Sequence, residues 1–135
     1  MTGDASEDEK GPLVVVGAER RRIAEGAMLV FLSRDGKRLG LVFKDGVYPR
    51  LRCWIDVEGR RTSEFEWIES PEFDSRGEEF AFRAKLGRRE VVVVGDRIFE
   101  AEGIVAGPYF QNGDDRIGFG LRRENELIWR EERLR

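Results

Sequence analysis

Apolar positions along this chain come in short bursts, each entered through a polar turn that carries glycine. Leu39-Gly40-Leu41-Val42-Phe43, Phe80-Ala81-Phe82-Arg83-Ala84 and Ile117-Gly118-Phe119-Gly120-Leu121 are the clearest three. Runs of this length, bounded by Gly, Asp and Asn, read as strands joined by tight hairpins. The turns fall at Asp35-Gly36, Arg76-Gly77 and Asn112-Gly113. Val91 to Val94 is β-branched throughout, which suits a strand and opposes a helix. Its unbroken apolar run predicts a strand covered on both faces. No segment of about ten residues or more carries a 3.6-residue period. The expected fold class is all-β.

The pattern is also periodic. Leu32-Ser33-Arg34-Asp35-Gly36-Lys37-Arg38-Leu39-Gly40 returns as Phe73-Asp74-Ser75-Arg76-Gly77-Glu78-Glu79-Phe80-Ala81 and as Phe110-Gln111-Asn112-Gly113-Asp114-Asp115-Arg116-Ile117-Gly118. The copies start 41 and 37 residues apart. Val14-Val15-Val16-Gly17 precedes the first copy by the interval at which Val92-Val93-Val94-Gly95 precedes the third. Leu127-Ile128-Trp129 takes the place of the valine run in the last unit. A period near 40 residues marks a repeat architecture. In the second unit, Pro71–Phe73, Glu79–Ala84, Glu90–Val94 and Arg97–Glu102 are the expected four strands. Four antiparallel strands per unit is the blade of a β-propeller. Gly40, Ala81 and Gly118 occupy one equivalent place, where a neighbouring sheet is expected to approach closely.

These residues resemble the blade motif of the TolB-type, WD-like β-propeller repeats, which runs Phe-Ser-Pro-Asp-Gly-Lys-Arg-Leu-Ala. Ser33, Asp35, Gly36, Lys37, Arg38 and Leu39 match it outright. The valine run closed by glycine resembles the strand and turn that follow in that family. The motif's proline is replaced by Arg34, Ser75 and Asn112, and in the third copy glycine stands one place earlier, at Gly113. The resemblance spans Leu13 to Trp129. It implies a scaffold and supplies no catalytic residues.

Propellers close with about four to eight blades, whereas this chain holds two complete units, half a unit before them and a partial unit after. Pieces from the two ends are expected to add up to one blade. An open arc leaves blade faces and edge strands exposed, and such surfaces invite association. The expectation is a symmetric homodimer that completes one ring of six. The alternatives are a strongly bent monomer whose ends cover one another or a fragment of a longer parent, and a barrel or sandwich of the same hairpins is the competing architecture.

Composition changes little in this picture. Residues 1–12 are acidic and lack an apolar face, so they read as a disordered tail ahead of a single repeat domain over 13–135. No apolar run approaches the roughly 18 residues of a membrane span, and no secretory signal opens the chain. The net charge of −3 is carried by the tail, which leaves the remainder formally neutral. A neutral body argues against bulk capture of nucleic acid. Cys53 is the lone cysteine, in an alternating strand-like run. A buried small hydrophobe in a reducing, cytoplasmic setting is the expectation.

The search for chemistry excludes more than it finds. The chain contains no histidine, so Ser/His/Asp triads, Cys/His pairs and imidazole metal sites are ruled out. Glu78-Glu79 and Asp114-Asp115 are adjacent acids within hairpin turns, where solvated turn charge is the expectation rather than a catalytic pair. The lone glycines form no phosphate-cradling loop. Trp54, Trp67 and Trp129 lie in strand patterns and are read as packing residues. No catalytic residue, metal or cofactor is expected, and the chain is read as a non-enzyme.

One pattern remains. Arg88-Arg89 and Arg122-Arg123 recur at the turn between second and third strands, and Arg50 and Arg52 fall near the same turn of the first unit. One rim is thereby expected to be basic and the opposite rim acidic. Bidentate arginine contacts suit an acidic or phosphorylated partner. The functional expectation is an interaction or scaffold module that holds a protein partner at this rim. The alternative is a small-ligand or carbohydrate-handling propeller with a central pocket, using aromatic stacking and carboxylates.

Overall fold

The computed structural model describes residues 11–23 and 25–135, and the structure is all-β. Most of the predicted tail, residues 1–10, lies outside the described residues. At its end Gly11 and Pro12 accept hydrogen bonds from Arg22 and the Ile23 amide.

Among the described residues, thirteen strands form four antiparallel sheets. Strands β1 (Leu13–Val16) and β2 (Glu19–Arg22) make an isolated hairpin. Strands β3 (Ala27–Leu32), β4 (Leu39–Asp45), β5 (Arg52–Val57) and β6 (Arg60–Arg61) form the first four-stranded sheet. Strands β7 (Trp67–Phe73), β8 (Phe80–Leu86), β9 (Arg89–Val94) and β10 (Arg97–Glu100) form the second. Strands β11 (Ile104–Gln111), β12 (Arg116–Arg123) and β13 (Glu126–Arg133) form the last. Each sheet is a meander in chain order, and the first strands of the last three sheets, β3, β7 and β11, lie side by side in succession. This is a propeller-like arc of stacked blades whose sheets do not close.

The two end pieces are not complementary. The last sheet already holds first, second and third strands, while the N-terminal hairpin corresponds to third and fourth. Together they supply one strand more than a blade requires.

Two apolar layers hold the blades together. Phe31, Val42, Ile55 and Phe65 of the first blade pack against Ile68, Phe82, Val91 and Val93 of the second. Ala81, Val92 and Val94 on the second blade's other face pack against Ile117, Phe119 and Leu121. Alternation along a strand sends successive side chains to opposite faces. The unbroken valine run of β9 therefore feeds both layers, and all four valines are buried. Cys53 belongs to the first layer, where burial pushes its thiol up.

The hairpins form where the repeat placed them. Gly36 donates to the Ser33 carbonyl at 2.9 Å and Gly77 to the Asp74 carbonyl at 3.1 Å, both glycines with positive φ. Ser33 and Asp74 share one repeat position and are buried. The Ser33 hydroxyl accepts from the Arg38 amide, and the Asp74 carboxylate accepts from the Glu78 amide, so each closes its turn from inside.

The expectation for the Gly40 and Gly118 positions needs correction. A methyl on Gly40 would lie 2.2 Å from the Phe31 ring, and one on Gly118 2.3 Å from the Trp129 ring. Both rings belong to the glycine's own sheet. Phe31 leans across its direct cross-strand partner Gly40, and Trp129, paired with Gly120, leans diagonally across Gly118, rather than either glycine making room for the next blade. Only Ala81, in the layer between second and third blades, fits the original reading.

Candidate functional site at the arginine-bearing end

All six sequence-predicted arginines stand at one end of the arc, where second strands turn into third strands. Arg88 lies in the β8–β9 turn and Arg89 opens β9, paired with Leu86. Arg122 and Arg123 close β12, and Arg123 pairs with Glu126 across the hairpin. Arg50 lies in the loop after β4 and Arg52 opens β5. Arg88, Arg89 and Arg123 line one hollow of about 260 Å³ together with Glu90, Glu100, Glu102 and Arg130. Arg50, Arg52 and Arg122 stand outside it.

The end is mixed in charge, because the links from one blade to the next arrive there and bring carboxylates. Arg89 pairs with Glu100. Arg52 lies 3.3 Å from Asp45 and 3.7 Å from Glu64. Among the described residues, Arg50, Arg88, Arg122 and Arg123 have no carboxylate within 4.0 Å. Those guanidinium groups, all on exposed residues, are the ones free to meet a partner.

The opposite end is mixed as well, and one of its acids is not solvated. Asp114 is 5% exposed. Its carboxylate accepts the Ser75 amide at 3.1 and 3.2 Å and the Ser75 hydroxyl. The Arg76 guanidinium lies 3.9 Å away. Burial opposes ionisation here, yet the Ser75 hydrogen bonds and the charges of Arg76 and Arg135 hold the carboxyl below its usual range. Arg38 of the first blade reaches the carbonyls of Gly77 and Glu78 in the same manner. The turns are thus clasped blade to blade.

A larger groove, about 510 Å³, opens beside the arginines and was not anticipated. Its lining comes from three blades. Tyr48, Pro49 and Leu51 belong to the β4–β5 loop region, Trp67, Glu69, Arg83 and Lys85 to β7 and β8, and Ile104 to β11. Register explains the polar floor. Glu69 opposes Arg83 and Trp67 opposes Lys85, while Val92 and Glu90 continue these rows on β9. The same face that is apolar at Val92 and Val94 becomes polar toward the turn.

Within the groove Glu69 is fully engaged. The Trp67 indole donates to one carboxylate oxygen at 2.8 Å. Arg83 donates to the other from Nε at 2.9 Å and lies 2.8 Å from it through Nη2. The indole hydrogen bond, followed by the Arg83 contacts, outweighs burial and lowers the carboxyl's pKa. The remaining nitrogen, Arg83 Nη1, is buried with no hydrogen-bond partner. Glu90 gives one oxygen to the Gly103 amide at 2.8 Å. No sequence signal marked this groove, because it exists only where three units meet.

Comparisons with known proteins bear on the fold. No family model matches the chain, and no curated protein does. Among solved structures it is similar to the β-propeller domain of the Trilobed protease from Pyrococcus furiosus, described as having an open velcro topology. The TM-score is 0.59 at 16% identity, over 86% of this chain and 45% of that one. The chain thus spans less than half the length of its structural neighbour. Likeness at this identity concerns architecture alone and supports the β-propeller class.

Proposed function

We propose that this chain is a non-enzymatic interaction module of the TolB-type, WD-like propeller kind, and that it holds an acidic protein partner at its arginine-bearing end. The observation behind this reading is the set of exposed arginines Arg88, Arg122 and Arg123, which among the described residues have no carboxylate within 4.0 Å. Bidentate contact to carboxylate or phosphate is the recognition such groups favour. Arg89, Arg50 and Arg52 flank them and complete the proposed surface. The lone buried thiol suits a reducing, cytoplasmic setting.

The test is a titration with an acidic peptide of alternating Glu and Ser, unphosphorylated and phosphorylated, followed by NMR. The wild type is expected to shift at Arg88, Arg122 and Arg123, with affinity falling as salt rises. Reversing Arg88, Arg89, Arg122 and Arg123 to Glu should remove the response without unfolding the protein. Binding retained by that variant would sink the reading.

A second reading, association with another copy of the chain, has its own support. The outer face of the last sheet exposes Tyr109, Leu127 and Trp129, with Trp129 stacked on Tyr109 at 6.1 Å between centroids. Inside the arc, faces of this kind are covered by the next blade. Light scattering should return a dimer, and Leu127→Glu with Trp129→Glu should return a monomer. A monomeric wild type across a wide concentration range would refute it.

A further inference from the structure

The groove on the second blade carries a feature that the rim arginines do not explain. Arg83 has one edge committed to Glu69, while Nη1 is buried and bonds to nothing. A buried donor without an acceptor is costly, and native structures rarely leave one unless a ligand or water completes it. Around it stand a second donor, Lys85, and the acceptors Glu66 and Glu90. Two aromatic side chains, Trp67 and Tyr48, also line the space, and Tyr48 is 90% exposed.

The charge balance selects the ligand. Three carboxylates (Glu66, Glu69, Glu90) face two cations (Arg83, Lys85), a formal −1. That balance gives an anion no net attraction. Because Glu69 already neutralises Arg83, the free Nη1 is best completed by an uncharged oxygen. A molecule that offers hydroxyls as both donors and acceptors, with an apolar face to lay on an aromatic ring, meets every group present. The size lies within the range of about 300–1,000 Å³ that small-ligand pockets occupy.

We propose that this groove is a binding site for a neutral carbohydrate of two or three sugar rings. One ring stacks between Tyr48 and Trp67. Its hydroxyl oxygens accept from Lys85 and, once the Arg83 side chain turns to bring its buried Nη1 to the groove, from Arg83 as well, and its hydroxyl protons go to Glu90 and Glu66. The groove shares Glu90 with the hollow beside the rim, but none of Arg88, Arg89, Arg122 and Arg123 lines it, so sugar binding can be tested apart from the proposed protein partner.

The test uses the full chain, labelled with ¹⁵N, and follows the Nε–H signal of Arg83 and the indole N–H of Trp67. Cellotriose, maltotriose and xylotriose are titrated separately to millimolar concentration. At least one should shift both signals saturably. Tyr48→Ala, in an exposed loop, should weaken that affinity at least fivefold while the spectrum stays folded. Trp67→Leu should abolish it and Trp67→Tyr should restore it in part. Arg88→Glu with Arg123→Glu should leave it unchanged. The proposal is overturned if none of the three sugars moves the two signals. It is equally overturned if glucuronate or N-acetyl-lysine amide moves them more strongly, since the groove would then be an ion site.

Discussion

Asp114 offers the sharpest test of how the blades are joined. Asp114→Asn keeps the volume and one acceptor oxygen but removes the charge. In the native structure the carboxylate takes both the amide and the hydroxyl of Ser75 from the neighbouring turn. Hydrogen bonds to charged groups contribute about 1.5–3 kcal/mol, and the amide can retain roughly one of the two. The half-exposed Arg76 contact, at 3.9 Å, adds little because solvent screens it. A net loss of about 2 kcal/mol at neutral pH follows. For a domain of this length that should lower the melting temperature by about 5–10 °C. Thermal unfolding by circular dichroism measures it directly. The pH dependence supplies a second arm. The folded carboxyl lies below its unfolded value near 3.9, so its contribution is fully present above that pH. It fades as pH falls through the lower folded value, and wild type and variant should then converge. An Asp114→Asn protein melting within about 2 °C of wild type at pH 7 would refute the clasp. So would a gap that persists unchanged into strong acid.

Other expectations follow from packing. Gly40→Ala should destabilise by about 1–3 kcal/mol, because its methyl meets the Phe31 ring; Phe31→Leu in the same chain should restore part of the loss. Cys53 should react with a thiol reagent only as fast as the protein opens, given its complete burial; labelling at the rate of a free thiol would contradict the packing. Ser75→Ala should cost about 1 kcal/mol, and combined with Asp114→Asn the two losses should fall short of their sum, since they share one contact.

Much of the architecture was legible because the repeat is written in the turns. Asp35-Gly36 and Arg76-Gly77 supply positive φ at equivalent places, and Asn112-Gly113-Asp114 does so with a shifted glycine. The valine run declared a strand between two layers. What escaped was everything that depends on a neighbour's neighbour. Asp114 looks like a solvated turn acid until the next hairpin is brought beside it. Gly40 reads as a site of sheet approach until Phe31 is seen lying over it. The groove has no local signature, since Tyr48, Arg83 and Ile104 are distant along the chain. The arginines were placed at one end correctly, but the carboxylates of the links between blades were not counted with them.

The clasps have a further consequence. Arg38 to Gly77 and Ser75 to Asp114 each join residues 39 positions apart, and every such contact involves adjacent blades. The molecule behaves as a short one-dimensional array in which each member is stabilised by its neighbours. The second blade has a partner on both faces, whereas β13 and the β1–β2 hairpin each have a free side. Opening should therefore begin at the extremities and move inward. Amide hydrogens of Val91 to Val94 should exchange last, and those of β1 and β13 first. Exchange that is uniform along the chain would mean that the array unfolds as a single unit.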